Sequence, residues 1–272
     1  MKRVTLCFFG LSFYLFNCSI PIAQETLQPL KLLTSPSPVF SEIQNDGRVS
    51  GYSVEYARCV FHMAGYNPTV TPLPFARLLK QLNENELVVT TGLVRTPERE
   101  DDFYWIAPMS ANVIAIFSLQ DEPLNPDAKN TDYLNDVKLG RLDKLKSVAV
   151  LRGDYRADIL RQHGVKNIVE FNSWEQALKA VLKGRVSSVF VSELGVSVTC
   201  KSAGFDCKSL KKIYTHDIRF SYLAMLKTDK NREHALKLAN AAEQFIKTRI
   251  FSQLVDQWLP KLQLLEANTN VT

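Results

Sequence analysis

The stretch from Val88 to Met109, V-V-T-T-G-L-V-R-T-P-E-R-E-D-D-F-Y-W-I-A-P-M, constrains this chain more than any other. A short β-rich apolar run, Leu87 to Thr90, opens it. Gly92 follows, a residue that lets another group approach the backbone closely. Thr96-Pro97-Glu98-Arg99 then reads as a helix start, with Pro in the first turn. Arg99 therefore falls near a helix N-terminus just past a strand end. Two readings of it stand at this point. Beside free backbone N–H groups its guanidinium makes a carboxylate receptor, because the fork donates two parallel hydrogen bonds and the helix end adds partial positive charge. Alternatively it is a solvated arginine paired with Glu98 or Asp101, the ordinary fate of a surface charge.

The 272 residues, 46% hydrophobic, suit one large domain or two lobes of ordinary size. The net charge of +5 is spread over interleaved basic and acidic residues, without the Lys/Arg stripe and aromatics of a nucleic-acid binder. Met1-Lys2-Arg3, an apolar run from Val4 to Phe16, and then Asn17-Cys18-Ser19-Ile20-Pro21-Ile22-Ala23 have the form of a secretory signal peptide. The run is too short to span a membrane. Cleavage after Ala23 is expected, giving a signal over 1–23 and a mature chain from Gln24. Leu15-Phe16-Asn17-Cys18 is a poor lipobox, so a lipid anchor on Cys18 is not expected. Of the five cysteines, Cys59, Cys200 and Cys207 lie beyond this segment. Export permits disulfides, and Cys200 and Cys207 are expected to close a small loop containing Gly204. Cys59, in an amphipathic helical stretch, is expected to be a buried free thiol; the alternative is three reduced structural cysteines. His62, His163, His216 and His234 are scattered without ligand spacing, so neither a metal site nor a cofactor is expected.

Along the chain, strands alternate with helices. Leu30–Thr34 is a first strand, and Asp46-Gly47 a hairpin turn. Gly51-Tyr52 starts a helix that Gly65 stops. Tyr66–Leu73 is a strand, and Pro74-Phe75-Ala76-Arg77-Leu78-Leu79 starts an amphipathic helix. Asn112–Leu119 and Phe220–Leu226 are apolar strands suited to cross between two lobes, and Asp121–Asp132 is a loop. Lys146–Arg152 is a buried strand, and Gly153-Asp154-Tyr155 leads into a helix, a turn suited to anions. Ser173 caps a helix over Trp174–Leu182, and Gly184-Arg185 leads into the strand Val186–Glu193. Asn231 caps a helix to about Lys247. Ile250-Phe251-x-x-Leu254-Val255-x-x-Trp258-Leu259-Pro260 closes the ordered part, before a polar tail after Leu265.

The order of these pieces resembles the family 3 extracellular solute-binding proteins, periplasmic receptors for histidine, glutamine and basic amino acids that feed ABC importers. It rests on the strand–Thr91-Gly92–Thr96-x-Glu98-Arg99 run, on Asp46-Gly47 with Gly51-Tyr52-x-x-Glu55, on Gly184-Arg185, and on the Trp258-Leu259-Pro260 ending. The resemblance implies an α/β protein of two lobes around a ligand cleft: lobe 1 over 24–115, lobe 2 over 116–216, and a return to lobe 1 over 217–272. It implies that Arg99 grips the ligand's α-carboxylate and that Thr91 and Gly92 lie beside it. It places Phe75 in the cleft, with core packing as the alternative, and Arg77 in the cleft or in solvent. Two departures stand out. Relatives carry Gly-Thr/Ser-Thr/Ser where this chain has Gly153-Asp154-Tyr155. Their late Asp, which binds the ligand's α-amino group, falls on Ser192, so that an ammonium would need Glu193 or Asp154. The expectation is a monomeric, periplasmic, non-enzymatic receptor that hands a small carboxylate-bearing solute, an amino acid or a related compound, to an ABC permease. Two alternatives stay open: a cyclohexadienyl-dehydratase-like enzyme using Asp154 or Glu193 as its cleft acid, and a stand-alone sensor that docks a membrane signalling protein.

Overall fold

A computed structural model describes residues 30–119 and 136–263. The expected signal peptide, the loop Asp121–Asp132 and the tail after Leu265 lie outside the described residues. The strands are β1 (Lys31–Thr34), β2 (Glu42–Ile43), β3 (Val49–Ser50), β4 (Thr69–Pro72), β5 (Val88–Val94), β6 (Phe103–Leu119), β7 (Val148–Leu151), β8 (Ile168–Phe171), β9 (Ser188–Ser192) and β10 (Leu210–Leu226). The helices are α1 (Tyr52–Met63), α2 (Phe75–Glu84), α3 (Arg156–Gln162), α4 (Trp174–Leu182), α5 (Glu193–Ala203), α6 (Asp229–Phe245) and α7 (Arg249–Gln263).

Eight strands form one sheet in the order β4-β1-β5-β10-β6-β9-β7-β8. The central pair, β10 and β6, runs antiparallel over 17 residues each and belongs to both lobes. Parallel β4, β1 and β5 join β10 at its Ser221–Met225 end. Parallel β8, β7 and β9 join β6 at Ile114–Ser118. Between these junctions the ribbon crosses alone, through Ala111–Val113 and Ile218–Phe220. The sequence suggested only the apolar ends of the two strands, Asn112–Leu119 and Phe220–Leu226. The pairing also runs through polar residues such as Asp217 and Arg219, because a ladder needs only backbone groups and the crossing is not covered on both faces.

Alternation along β6 builds the cores. Ala107 and Met109 face α1, α6 and α7, where Tyr56, Phe61, Leu238, Phe245 and Trp258 are buried. Ile114 and Ile116 pack with Leu160 and Phe190, while Ala115 and Phe117 pack with Leu178, Val181 and Cys200. On the opposite face of lobe 1, Leu78 and Leu82 of α2 cover Leu33 and Leu93.

Two local expectations need correction. Thr96–Arg99 does not open an α-helix; Pro97–Arg99 is a single 3-10 turn. The acids that follow, Asp101 and Asp102, are poor helix formers, and β6 begins at Phe103. Nor does Asn231 cap α6. Thr228 does, accepting from the Asn231 N–H. The Asn231 side chain is instead wholly buried, accepting from Leu87 N at 3.1 Å and donating to Leu226 O at 2.9 Å.

Cys200 and Cys207 form a disulfide, and Cys59 is a half-buried free cysteine. A mature chain from Gln24, unfolded without reductant, is expected to titrate as one free thiol. Cys200→Ser should cost about 2–3 kcal/mol of unfolding free energy, since the bridge closes only a short loop. Three titratable thiols would show that the bond does not form.

Candidate functional site

The turn after β5 and helix α3 face one another at the crossing ribbon. Gly153, in the loop before α3, has φ +75°, and a Cβ there would sit 3.5 Å from Ala76 Cβ on α2. The α3 loop of lobe 2 therefore abuts α2 of lobe 1. Beside this contact lies a cavity of about 230 Å³ lined by Thr96, Glu98, Arg99, Tyr155, Ile159, His163, His216 and Arg219, with Asp158 and Gln162 at its mouth. A second cavity of similar size, about 240 Å³, is bounded mostly by apolar side chains such as Phe40, Tyr52, Leu194 and Trp258. Only the first is rich in hydrogen-bond donors.

Four lining groups, Thr96 Oγ1, Arg99 Nη1, Tyr155 OH and Arg219 Nε, are buried without a hydrogen-bond partner. Arg219 Nε keeps an ion-pair contact with Asp217, and two of the others, Arg99 Nη1 and Tyr155 OH, bear most directly on a ligand. A buried polar group left unmade costs about 1–3 kcal/mol, more when charged, so each such group calls for an explanation. Burial pushes the Arg99 guanidinium below its ordinary range, and Asp154, then Tyr155, Asp158 and Glu98, push back. Burial likewise raises the Tyr155 phenol. The result is a charged fork and a neutral hydroxyl aimed at one space, the arrangement that receives an oxyanion.

On the crossing strand, Arg219 Nε lies 2.5 Å from Asp217 Oδ2, and His216 Nε2 lies 3.8 Å from the same oxygen. His216 reaches the cavity because the β10–β6 register slips between Thr215 and Asp217, leaving it unpaired in a bulge that re-aims its ring. Simple strand alternation would have turned it away from Asp217 and Arg219.

The other expected site residues are placed as follows. Asp154 is buried behind the cavity wall. Its Oδ1 accepts from Arg156 N at 2.9 Å and its Oδ2 from Arg156 Nη1 at 2.7 Å. Glu193 pairs with Lys212 at 2.6 Å. Ser192 Oγ accepts from Gly195 N at 3.0 Å and caps α5. Thr91 is buried in β5, its Oγ1 2.9 Å from Thr34 Oγ1. Gly92 has φ +75° with open space where a Cβ would be, so the backbone conformation, not close approach, requires glycine there. Phe75 is half-buried and Arg77 exposed. Of the ten, only Arg99 and Tyr155 line the cavity. Thr96, His163, His216 and Arg219 were missed by sequence reasoning. Only Thr96, inside the Arg99 motif, carried a local signal. Among the described residues no helix is long and apolar enough to cross a membrane, and no group of three His, Cys, Asp or Glu side chains could hold a metal ion.

Two lobes, a continuous crossing ribbon and a donor-lined cleft define a periplasmic-binding-protein-like fold. Residues 30–261 match the model of the bacterial extracellular solute-binding proteins, family 3, and the chain belongs to that family. Among similar solved structures is a histidine kinase sensor domain with similarity to periplasmic binding proteins, at TM-score 0.70 and 17% identity, covering 85% of this chain and 96% of that one. Another is holo ArgBP from T. maritima, at 0.63 and 16%, covering 85% and 96%. A third is the GluR0 ligand-binding core from Nostoc punctiforme in complex with (L)-glutamate, at 0.66 and 18%, covering 85% and 99%. At these identities the likeness shows the fold. No curated protein matches the sequence.

Proposed function

We propose that this chain is an exported receptor that closes on a small carboxylate-bearing solute, an amino acid or a related compound, and delivers it to an ABC permease of the inner membrane. The observation that carries this reading is the pair of buried, unpartnered donors, Arg99 Nη1 and Tyr155 OH, on one interlobe cavity. Arg99 belongs to lobe 1 and Tyr155 to lobe 2, so a bound anion would tie the lobes together, the motion expected of hinged receptors. The basic start and short apolar run of residues 1–23 support export to the periplasm.

The enzyme alternative, framed on Asp154 or Glu193 as the cleft acid, needs one of them free in the cleft. Asp154 is committed to Arg156 and Glu193 to Lys212, and neither lines the cavity. We therefore expect no turnover of prephenate or arogenate. A dehydration rate that is lost in Asp154→Asn or Glu193→Gln would overturn the receptor reading. The sensor alternative draws support from the likeness to the histidine kinase sensor domain. It shares the same cleft and differs only in the partner that reads closure.

A thermal-shift screen of amino acids and small organic acids tests the binding claim. A solute held at about 100 times its Kd should add about 2.7 kcal/mol of stability and raise Tm measurably. Carboxylate-free analogues should leave Tm unchanged; a screen in which they shift Tm as much as the acids would refute the carboxylate assignment.

A further inference from the structure

The receptor reading assigns one end of the solute to Arg99 and Tyr155. The remaining cavity wall then bears on what the other end carries. Ser192 offers no free ligand group, because its hydroxyl accepts from Gly195 N and caps α5. The acids nearby are already paired: Asp158 with Arg161 at 2.6 Å, Asp217 with Arg219 at 2.5 Å, and Asp154 with Arg156 at 2.7 Å. Glu98 makes no such close ion pair, although the Arg219 and Arg99 charges act on it, and it is exposed. Its carboxyl is held low chiefly by its own backbone N–H and then by the Thr96 hydroxyl. Asp217 keeps one oxygen, Oδ1, buried without a hydrogen-bond partner, but it does not line the cavity, and neither lining acid, Glu98 or Asp158, is buried.

It does offer basic groups. His163 and His216 meet edge to face with ring centroids 6.4 Å apart, His163 at an exposed position, and Arg219 lines the same space with its Nε against Asp217. His163 Nδ1 lies 2.9 Å from the Ile159 carbonyl, which can only accept, so Nδ1 carries the proton and Nε2 is the free nitrogen. We propose, on the receptor reading above, that the solute carries a second acidic group and that His163, His216 and Arg219 receive it. The cleft then favours a small dicarboxylate over a neutral-tailed zwitterion.

A consequence follows for protons. Burial holds the His216 imidazole below its ordinary range; Asp217 opposes this, while Arg219, His163 and Arg156 reinforce it. These groups, with Tyr214 at 3.4 Å from Nδ1 and the edge-on ring of Phe190, are what face it from β10, α3 and β9. An arriving carboxylate reverses the balance and favours the imidazolium, so binding takes up a proton. The bound-state pKa then lies above the free one. The added affinity is complete below the free-state pKa and is lost as pH rises through the bound-state pKa.

The test is calorimetry on the mature chain with straight-chain dicarboxylates from malonate to adipate, the matching monocarboxylates, and L-glutamine as a neutral-tailed zwitterion. Titrations at pH 6 and pH 8, in buffers of different ionisation enthalpy, count the protons taken up. The best dicarboxylate is expected to bind at least about tenfold tighter than its monoacid and than L-glutamine at pH 6, the equivalent of about one charge-assisted pair. It should weaken at least about fivefold by pH 8, with proton uptake. His216→Gln should flatten that pH dependence and abolish most of the uptake. His163→Gln, at an exposed position, should weaken dicarboxylate binding. Tighter binding of L-glutamine or of a monoacid than of every dicarboxylate would overturn the proposal and leave the receptor reading standing. So would dicarboxylate binding that is flat between pH 6 and pH 8. Failure of all dicarboxylates also overturns it, and if the broader screen is silent as well, the receptor reading falls with it.

Discussion

Arg99→Ala is expected to weaken binding of the cleft solute by about 30- to several-thousand-fold, the equivalent of about 2–5 kcal/mol, because it leaves a desolvated carboxylate without its bidentate partner. The fold should survive. The guanidinium makes no hydrogen bond at Nη1, and its removal relieves a buried charge. Arg99→Lys keeps the charge and loses the fork, so it should also bind worse than the wild type. Arg95, four residues earlier, is the internal control, though not as an idle surface residue. It forms a bidentate ion pair with Glu100 and lies over the rings of Trp105 and Tyr222 at 5.7 and 5.5 Å. Arg95→Ala should therefore lower stability by about 1 kcal/mol, through lost cation–π and ion-pair contacts, while leaving affinity within about twofold. Calorimetry and chemical denaturation on the three variants separate these effects. Equal affinity losses from Arg95→Ala and Arg99→Ala would reduce the Arg99 effect to general electrostatics. No loss from Arg99→Ala would remove it from the site.

The different legibility of the two arginines shows where sequence reasoning works. The fold was readable because period-2 and period-3.6 patterns reflect burial, and burial is what a strand or helix face encodes. Gly153, Ser173 and the Trp258 ending fell where expected for the same reason: turn, cap and core residues act locally. Arg99 was legible because its motif is contiguous. His163, His216 and Arg219 were not, because His163 and His216 stand more than 50 residues apart in the chain and meet only when it folds. His216 was doubly hidden, since the bulge that re-aims it has no spelling of its own in Thr215-His216-Asp217. The 3-10 turn at Pro97–Arg99 shows the opposite failure. A good N-terminal signal was present, and the following residues did not continue the helix.

Asp154 illustrates how a plausible ligand residue can be structural, and the difference is measurable. Its side chain and that of Arg156 are each 7% exposed. The Arg156 guanidinium lies 4.9 Å from the Tyr155 ring centroid and 5.3 Å from that of Trp174. Burial disfavours the Arg156 charge, yet Asp154, then Tyr155, more than restore it, so the guanidinium is held above its ordinary range. Asp154→Ala would strand that charge without a partner. It is expected to cost about 3–5 kcal/mol, or about 6–20 °C in Tm for a chain of this size. Replacing the pair together, Asp154→Ala with Arg156→Met, should be milder than Asp154→Ala alone, because no buried charge remains to be satisfied. Chemical denaturation of the single and double variants reads this directly. Calorimetry then distinguishes the two roles. If Asp154 only braces the wall that carries Tyr155, Asp154→Asn should lower stability far more than it lowers affinity in the molecules that remain folded. A variant that unfolds as the wild type does but no longer binds would make Asp154 a ligand contact after all.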